Sequence, residues 1–319
     1  MQSQGARTRC GDPERSLDLT TTAANTSLAR RRALMLVNPN ARRGTAALDP
    51  VVARLEAGGI EVAIERFETP DEVSADIINR GGAFDLVIVC GGDGTINSAA
   101  RGVLETGLPM GILPMGTAND LARTLAISDN LLLAADVIVA GNRRRVDLGE
   151  VNGKPFFNVA SIGLSAELAN GLSRETKRRW GKLGYAVAAL KVLSRARPFS
   201  ATIISPRGEE KVKTFQIAVG NGRHYGGGTV IEANAAIDDG HLDLYSLEQD
   251  AVWKLMLLLG WFRQGRHGMW EEVRTDKATE FDIRTKRPMP VNTDGDIVTQ
   301  TPAHFLIRPA AIEVFVPAV

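Results

Sequence analysis

Residues that form cross-links and metal fingers are scarce in this sequence. Its 319 residues include only two cysteines, Cys10 and Cys90, and four scattered histidines. Two cysteines cannot form a disulfide framework, and neither has the spacing of a zinc finger. These absences exclude a disulfide-stapled secreted domain and favour the reducing cytoplasm. Cys90 ends an apolar run, so we expect it to be a small core residue.

Long hydrophobic runs are absent as well. The longest, such as Leu255–Leu259, are far shorter than the roughly 18 residues of a transmembrane helix. Residues 1–32 lack the apolar core of a signal peptide, so we expect a disordered tail or a mistaken start. The sequence therefore predicts a cytoplasmic protein that spans no membrane, although its surface can still contact one.

The sequence has almost no net charge and few aromatic side chains. Its 38 Lys and Arg residues against 37 Asp and Glu residues give +1, and aromatic residues make up 5%. A nucleic-acid-binding protein needs positive charge and stacking surfaces, so we expect no nucleic-acid partner. The charge is nevertheless uneven, because residues 171–197 are strongly basic and residues 229–250 are strongly acidic.

Strand-like and helical runs alternate in the first part of the chain. This alternation predicts βαβ units, and hence a parallel sheet covered by helices on both faces. The predicted strands are 33–37, 60–67, 86–90 and 110–113, and the predicted helices are 45–57, 71–80, 96–104 and 119–125.

After residue 143 the pattern changes to that of β-hairpins. Asn152-Gly153 and Asp294-Gly295 are dipeptides typical of tight turns between antiparallel strands. The pattern predicts a second, mainly antiparallel domain that is interrupted by two helices, 182–193 and 251–262. Its predicted strands are 146–151, 156–160, 201–204, 212–219, 241–247 and 281–284, with a further strand at Val291.

The most informative motif is Cys90-Gly91-Gly92-Asp93-Gly94-Thr95-Ile96-Asn97. A buried strand ends in glycines and a helix then begins, which favours a phosphate site at the carboxyl end of a parallel strand. Glycines let the backbone approach a ligand closely. Asp93 repels phosphate, so its presence fits a divalent cation or a water network between the two. The alternative is a tight strand–helix turn in which Asp93 caps the helix.

Two further loops follow neighbouring strands and strengthen the phosphate interpretation. The segment 111–120, which contains Gly116-Thr117-Ala118-Asn119-Asp120, again runs from a short strand through a glycine loop into a helix. The segment 38–44 follows the first strand and carries two arginines suited to phosphate oxygens. Three such loops at one sheet edge predict a nucleotide site. The chain has neither a P-loop motif nor the dinucleotide-binding fingerprint.

These blocks resemble those of the diacylglycerol kinase catalytic-domain family, in particular the YegS-like bacterial lipid kinases. Gly91-Gly92-Asp93-Gly94-Thr95 followed by residues 116–120 carries most of the resemblance. It covers about residues 33–319 and continues through blocks at 38–39, 43–44, 146–149, 158–163, 221–228, 237–243 and 294–296.

The resemblance implies a fold of two domains. An α/β nucleotide-binding domain of the phosphofructokinase/NAD kinase-like type, with a parallel sheet, would span 33–145. The final strands, near Ile312–Val316 within a segment of about 306–319, would return to it. A β-sandwich lipid-substrate domain would span 146–305. The implied activity is Mg²⁺-dependent transfer of the ATP γ-phosphoryl group to the hydroxyl of a lipid such as diacylglycerol.

The resemblance also implies roles for individual residues. Asp296 takes the place of the proton-accepting carboxylate, and Asp93 is the second candidate catalytic residue. A metal loop that binds Mg²⁺, or Ca²⁺ as an alternative, would use the backbone carbonyls of Ala236 and His241 and the carboxylate of Asp239. The candidate nucleotide-binding residues are Asn38, Arg43, Thr69, Gly91, Gly92, Asp93, Gly94, Thr95, Ile96, Asn97, Ser98, Gly116, Thr117, Asn119 and Asp120.

Three positions depart from the family pattern. Ser98-Ala99 stand where Glu-Val is usual, Asn40 stands where a lysine is frequent, and Asp296 replaces the commoner glutamate. These departures leave open a catalytically weak nucleotide or lipid sensor. A kinase that resembles NAD kinase is a second alternative, because that family shares the Gly-Gly-Asp-Gly motif.

The sequence also suggests a membrane-facing surface. Basic residues with Trp180, from Arg174 to Lys182, precede an apolar stretch and suit the anionic headgroups of the inner membrane leaflet. An ordinary solvated basic helix is the alternative. The predicted helix 251–262 fits a core helix, a lipid pocket or a contact within a homodimer equally well.

Overall fold

The computed structural model describes residues 30–39, 48–164, 197–221, 224–225, 229–230, 236–248 and 273–318. Several predictions lie outside the described residues. They are most of the tail, Asn40 and Arg43 of the first loop, nearly all of the basic stretch 171–197, and the two helices 182–193 and 251–262.

The N-terminal part is a parallel sheet in the order β2-β1-β3-β4, as the alternation of strands and helices predicts. Strands β1, β3 and β4 are apolar runs that are buried on both faces, which is typical of a parallel sheet between helices, whereas the edge strand β2 is mostly not buried. Its strands are β1 (Arg31–Val37), β2 (Ile60–Arg66), β3 (Leu86–Gly91) and β4 (Met110–Pro114). Its helices are α1 (Asp49–Ala57), α2 (Pro70–Arg80), α3 (Asp93–Thr106), α4 (Asp120–Thr124) and α5 (Leu131–Ala140), with a 3₁₀ turn at Gly81–Ala83.

Three helices differ from the sequence prediction. Helix α1 begins at Asp49 rather than at residue 45, with Leu48 as its N-cap. Helix α3 begins at Asp93 rather than at Ile96, because Gly92 is an extended N-cap whose carbonyl accepts a hydrogen bond from the Ile96 amide at 3.0 Å. Helix α5 was not predicted, although it has ordinary start and stop signals. The Asn130 side chain accepts a hydrogen bond from the Leu132 amide, and Gly141 follows the last turn with φ +80°.

The second part consists mainly of antiparallel strands, which confirms the predicted fold class. Its strands are β5 (Arg143–Val151), β6 (Lys154–Phe156), β7 (Val159–Gly163), β8 (Phe199–Ser205), β9 (Gly208–Gly220), β12 (Leu242–Glu248), β13 (Val273–Ala278), β14 (Glu280–Thr285), β15 (Pro290–Thr293), β16 (Asp296–Gln300) and β17 (Ala303–Phe315). The order of neighbouring strands in the sheet is β16-β15-β7-β9-β8-β14-β17. In addition, β12 pairs with β9 and β13, and β5 pairs with β6 and β17. A separate short pair is formed by β10 (His224–Tyr225) and β11 (Thr229–Val230).

Strand β17 connects the two parts into one sheet. It runs antiparallel to β5 and β14, and near its end Val314 pairs in parallel with Met110 of β4. The chain therefore returns to the parallel sheet at the end of one long strand, and the pairing residue lies within the segment Ile312–Val316. The proposed domain limits at 145/146 and 305/306 stay a prediction.

Two separate hydrophobic cores lie on either side of the link between β6 and β7. One core packs the helices against the parallel sheet, and the other lies among the antiparallel strands. Phe156 is buried in the second core and the next residue, Phe157, in the first. The predicted strand 156–160 is therefore interrupted, because residues 157 and 158 leave the sheet between β6 and β7. Truncating either ring would cost about 3–5 kcal/mol.

Candidate active site

The two glycine loops predicted to bind phosphate are in direct contact. Strands β3 and β4 are parallel neighbours with Gly91 opposite Pro114, so both loops leave the same sheet edge. The Met115 amide donates a hydrogen bond to the Gly91 carbonyl at 2.9 Å. A β-carbon added to Gly116 would lie 2.5 Å from the Cα of Gly92. Only glycine permits this approach of the two backbones.

The end of the first strand meets the same loops. The Asn38 amide donates to the Cys90 carbonyl at 3.1 Å, and Asn38 Nδ2 donates to Thr95 Oγ1 at 2.9 Å. Three strand ends and the start of α3 therefore share one edge of the sheet, where open α/β sheets bind ligands. Arg43, predicted to extend this loop towards phosphate, lies outside the described residues.

Asp93 is the first residue of α3, and its carboxylate is directed at the second loop. Its Oδ1 accepts a hydrogen bond from the Leu121 amide at 3.1 Å, at the start of α4. Burial is the main cause that raises the pKa of Asp93, and the neighbouring Asp120 raises it further. Asp93 therefore ties the two loops together as well as carrying charge beside them.

The remaining residues of the second loop hold its shape. Asn119 adopts a left-handed conformation with φ +51°, and its Oδ1 accepts a hydrogen bond from the Gly116 amide at 2.9 Å. Its Nδ2 donates to Asp129 at 3.0 Å. Asp120 is buried, whereas Thr117 is exposed at the loop tip, where a ligand can reach its hydroxyl.

Several predicted nucleotide contacts make bonds within the protein instead. Ser98 Oγ donates to the Gly94 carbonyl at 2.9 Å, and Ile96 is buried in the core. Asn97 Oδ1 is buried without a hydrogen-bond partner in the structure. Thr69, the residue before α2, donates its hydroxyl to Glu72 at 3.0 Å, and the described hydrogen bonds do not link it to the glycine loops. Its nucleotide contact therefore stays a prediction.

Asp296 reaches these loops from the far end of the chain. It is the first residue of β16, and its Oδ2 lies 3.5 Å from the position that a β-carbon on Gly94 would occupy. The residue itself is exposed. The fold thus brings the predicted proton acceptor against the glycine loop that follows β3.

Sequence reasoning missed the role of Asp294, which it treated only as a turn residue. Its carboxylate accepts hydrogen bonds from the amides of Phe157, Asn158 and Val159 at 2.9, 3.1 and 3.2 Å. Burial, with a smaller contribution from Asp93, raises the pKa of Asp294 to about 7, although the amide hydrogen bonds lower it. The signal in the sequence is a carboxylate in a two-residue turn beside the predicted base.

Comparison with known proteins shows the family of this chain. The family model described as "Diacylglycerol kinase catalytic domain" matches residues 32–151, and the "YegS C-terminal NAD kinase beta sandwich-like domain" matches residues 158–316. A diacylglycerol kinase of Mycobacterium tuberculosis (strain CDC 1551 / Oshkosh) is 35% identical over 296 residues, which is 88% of this chain and 94% of that protein. The chain belongs to the diacylglycerol kinase family.

Further relatives agree with this membership. A diacylglycerol kinase of Staphylococcus carnosus (strain TM300) is 28% identical over 90% of this chain and 96% of its own length. A crystal structure of a candidate diacylglycerol kinase from Bacillus anthracis str. Sterne superposes with a TM-score of 0.80 at 27% identity, covering 90% of this chain and 97% of that one. The protein is thus a lipid kinase at the level of its family, as the motif series predicts.

The predicted metal loop, residues 236–241, is fastened by Asp147 of β5. Asp147 is buried, and its two carboxylate oxygens accept hydrogen bonds from the Gly240 and Ala310 amides, both at 2.7 Å. The Asp147 amide donates to the Ile237 carbonyl at 2.8 Å. Asp147 therefore connects this loop to β17.

The carboxylate of Asp239, the predicted side-chain ligand of the metal loop, has hydrogen-bond partners within the protein. Both oxygens of Asp239 are hydrogen-bonded, one to the His241 amide at 3.0 Å and the other to Lys277 Nζ at 2.7 Å. The His241 ring nitrogen Nδ1 lies 2.7 Å from the Asp239 carbonyl. Among the described residues, no group of three or more His, Cys, Asp or Glu side chains is placed to hold a metal. A metal on Ala236, Asp239 and His241 stays a prediction that requires Lys277 to move.

Two expectations about the rest of the chain can be compared with the structure. Cys90 is fully buried, and this burial raises the pKa of its thiol, as suits a core residue. No helix within the described ranges has the length and apolar character needed to cross a bilayer.

Proposed function

We propose that this protein transfers the γ-phosphoryl group of ATP to the hydroxyl of a lipid such as diacylglycerol or a related glycerolipid. The observation that carries the proposal is the position of Asp296 beside Gly94. A phosphoryl transfer needs a phosphate site and a proton acceptor close together. Here residues from opposite ends of the chain supply both at one sheet edge.

The phosphate site would be the backbone at the start of α3 together with the second glycine loop. The first N–H groups of an α-helix have no acceptor within the helix, and the helix dipole makes this end positive. Helix α3 has 14 residues, and the backbone that precedes it carries no side chain at Gly91 and Gly92. Thr117 and Asn38 flank the same edge. The β- and γ-phosphates of ATP would lie here.

The charge of the site favours a nucleotide that arrives with Mg²⁺. Asp93, Asp294 and Asp296 lie around the loops, and within the described part of the chain no Lys or Arg side chain forms a hydrogen bond or ion pair with them. ATP adds further negative charge, which these residues do not offset. Bound Mg²⁺ would supply that neutralisation on the phosphate oxygens.

Asp296 would act as the general base. It is exposed, so an approaching hydroxyl can reach its carboxylate. The hydroxyl proton moves to a carboxylate oxygen as the hydroxyl oxygen bonds to the γ-phosphorus, and ADP leaves with the electrons of the broken P–O bond. The phosphorylated lipid then carries the transferred group.

The partners that follow from this proposal are ATP, a lipid and a membrane surface. Because diacylglycerols reside in a bilayer, we propose a cytoplasmic protein in peripheral contact with the inner leaflet. The basic segment from Arg174 to Lys182 remains the candidate contact and lies outside the described residues. A homodimer also stays a prediction.

The test is transfer of labelled γ-phosphate from ATP into a panel of lipids in mixed micelles, with NAD as a control acceptor. We expect label in one or more glycerolipids, dependent on Mg²⁺ and reduced in Asp296→Asn. Label in NAD alone would support the NAD kinase-like alternative. Binding of ATP without transfer to any acceptor would support the sensor.

A further inference from the structure

The turn that precedes Asp296 contains two residues in left-handed conformations. Asp294 and Gly295 connect β15 to β16, and both have positive φ, +48° and +109°. The Gly295 amide donates to Asn292 Oδ1 at 3.2 Å. These are the left-handed conformations that an Asp-Gly dipeptide favours in a tight turn, and contacts outside the turn fasten Asp294 further.

Those contacts all come from the link between β6 and β7. The Asp294 carboxylate accepts the three consecutive amides of Phe157, Asn158 and Val159, and the Asp294 amide donates to the Val159 carbonyl at 3.1 Å. Hydrogen bonds to a charged acceptor are roughly twice as strong as neutral ones. The turn is therefore fastened to this link by four hydrogen bonds.

The link itself is a rigid support. Phe156 is buried in the core of the antiparallel strands, and Phe157 in the core of the parallel sheet. Gly149 on β5 leaves room for the Phe156 ring, which a β-carbon at that position would overlap at 2.3 Å. A group fastened to residues 157–159 is consequently fixed relative to both parts of the protein.

We propose that Asp294 is a positioning residue, whose ionised carboxylate fixes the β15–β16 turn so that Asp296 stays against Gly94. This inference rests on the proposed role of Asp296 as the base. The Asp294 carboxylate is itself occupied by backbone amides.

The positioning depends on the charge of Asp294. A protonated carboxyl has lost its charge and carries an O–H donor on one oxygen, so the hydrogen bonds that it accepts from the three amides become weaker. The titratable group that faces Asp294 from α3 is Asp93. The link between β6 and β7 faces it with backbone amides, and on its own hairpin Asp296 points towards Gly94. Uptake of a proton near neutral pH should therefore loosen the turn.

The kinetic test compares Asp294→Asn with Asp282→Asn, a carboxylate on β14 that contacts His304 instead. We expect Asp294→Asn to lower kcat about 100-fold while the KM for ATP changes less than about threefold, because misplacement of a catalytic group by 1 Å has an effect of this size. The wild type and Asp282→Asn should lose activity below about pH 7, whereas the residual activity of Asp294→Asn should lack this limb. Unchanged kcat in Asp294→Asn would overturn the proposal.

A second measurement does not depend on activity. In ¹⁵N-labelled wild type without lipid, the amide protons of Phe157, Asn158 and Val159 should titrate together with a midpoint near pH 7. In Asp294→Asn this titration should disappear, and the amide signals of Gly94 and Asp296 should shift. If the three amides do not titrate together, or the Gly94 signal stays in place, Asp294 does not position the turn. Because no transfer is measured, a protein that phosphorylates no lipid would still confirm or refute the positioning.

Discussion

Asp294 and Asp239 are both aspartates in turns of the antiparallel part, yet they meet opposite partners. Asp239 pairs with Lys277, and its neighbours in the acidic stretch are paired too, Asp238 with Arg144 and Glu248 with Arg274. Asp294 is bonded to neutral backbone amides and faces a second carboxylate, that of Asp93. The described carboxylates of the acidic stretch are therefore paired with basic side chains, whereas those at the glycine loops have no basic partner among the described residues.

This difference distinguishes structural charge from charge available to a ligand. A carboxylate already paired with lysine gains little from a metal, because the cation must first be displaced. Carboxylates held without counterions raise one another's pKa and attract a cationic partner. The uncompensated charge lies where the proposed magnesium nucleotide would bind. The four predictions below test this comparison.

The largest effect is expected at Asp296. Replacing it by Asn removes the proton acceptor but keeps the shape of the side chain, so kcat should fall by about 10²–10⁴-fold. The Kd for ATP, measured by calorimetry, should stay within about threefold because the loops are unchanged. Asp282→Asn is the matched control on β14. A kcat near that of the wild type would show that the proton has another acceptor.

The contact between the glycine loops gives the next largest effect. A β-carbon in Gly116→Ala would lie 2.5 Å from the Cα of Gly92, so the loops must separate. We expect ATP binding to weaken at least about tenfold and the free energy of unfolding to fall by about 1–3 kcal/mol. Gly82→Ala is the control, because an added β-carbon there meets nothing within 4 Å. Equal ATP affinity in both variants would exclude these loops as the phosphate site.

The third prediction concerns stability against pH. The native protein keeps Asp294 protonated up to a pKa of about 7, whereas an unfolded aspartate ionises near 3.8. Between these values the native state binds more protons, so the stability due to this group falls as pH rises. Urea unfolding should show the wild type losing about 2–4 kcal/mol relative to Asp294→Asn between pH 4 and pH 7.5. Parallel curves for the two proteins would contradict the burial of this charge.

The sequence predicts the position of the glycine loops better than it predicts which acidic side chains pair with basic ones. Strand–glycine–helix order at Gly91–Gly94 and at Gly116 is a local pattern, and the structure brings both loops to one edge as expected. The contact of Asp296 with that edge depends on β17 and on hairpin pairing between segments distant in sequence. Residue spacing alone does not show this contact, and the role of Asp296 was predicted only from the family resemblance. No local pattern indicates that Lys277, on a strand distant in sequence, would pair with Asp239.

The smallest effect is expected at Lys277. It tests whether the acidic stretch differs from the glycine loops because its carboxylates are paired with basic side chains. The Asp239 and Lys277 side chains are 22% and 42% exposed, so Lys277→Met should lower stability by less than about 1 kcal/mol. It leaves Asp239 and Asp243, which lies 4.0 Å from the same ammonium group, without that cation. Millimolar Ca²⁺ should then raise the stability of the nucleotide-free variant by about 1–2 kcal/mol, and Lys277→Met with Asp239→Asn should lose this gain. The nucleotide-free wild type should show no such gain. A different result would contradict this comparison: Ca²⁺ stabilises the wild type, and Asp239→Asn removes the stabilisation. A metal would then displace Lys277, and the carboxylates of the acidic stretch would be available to a ligand, like those at the glycine loops.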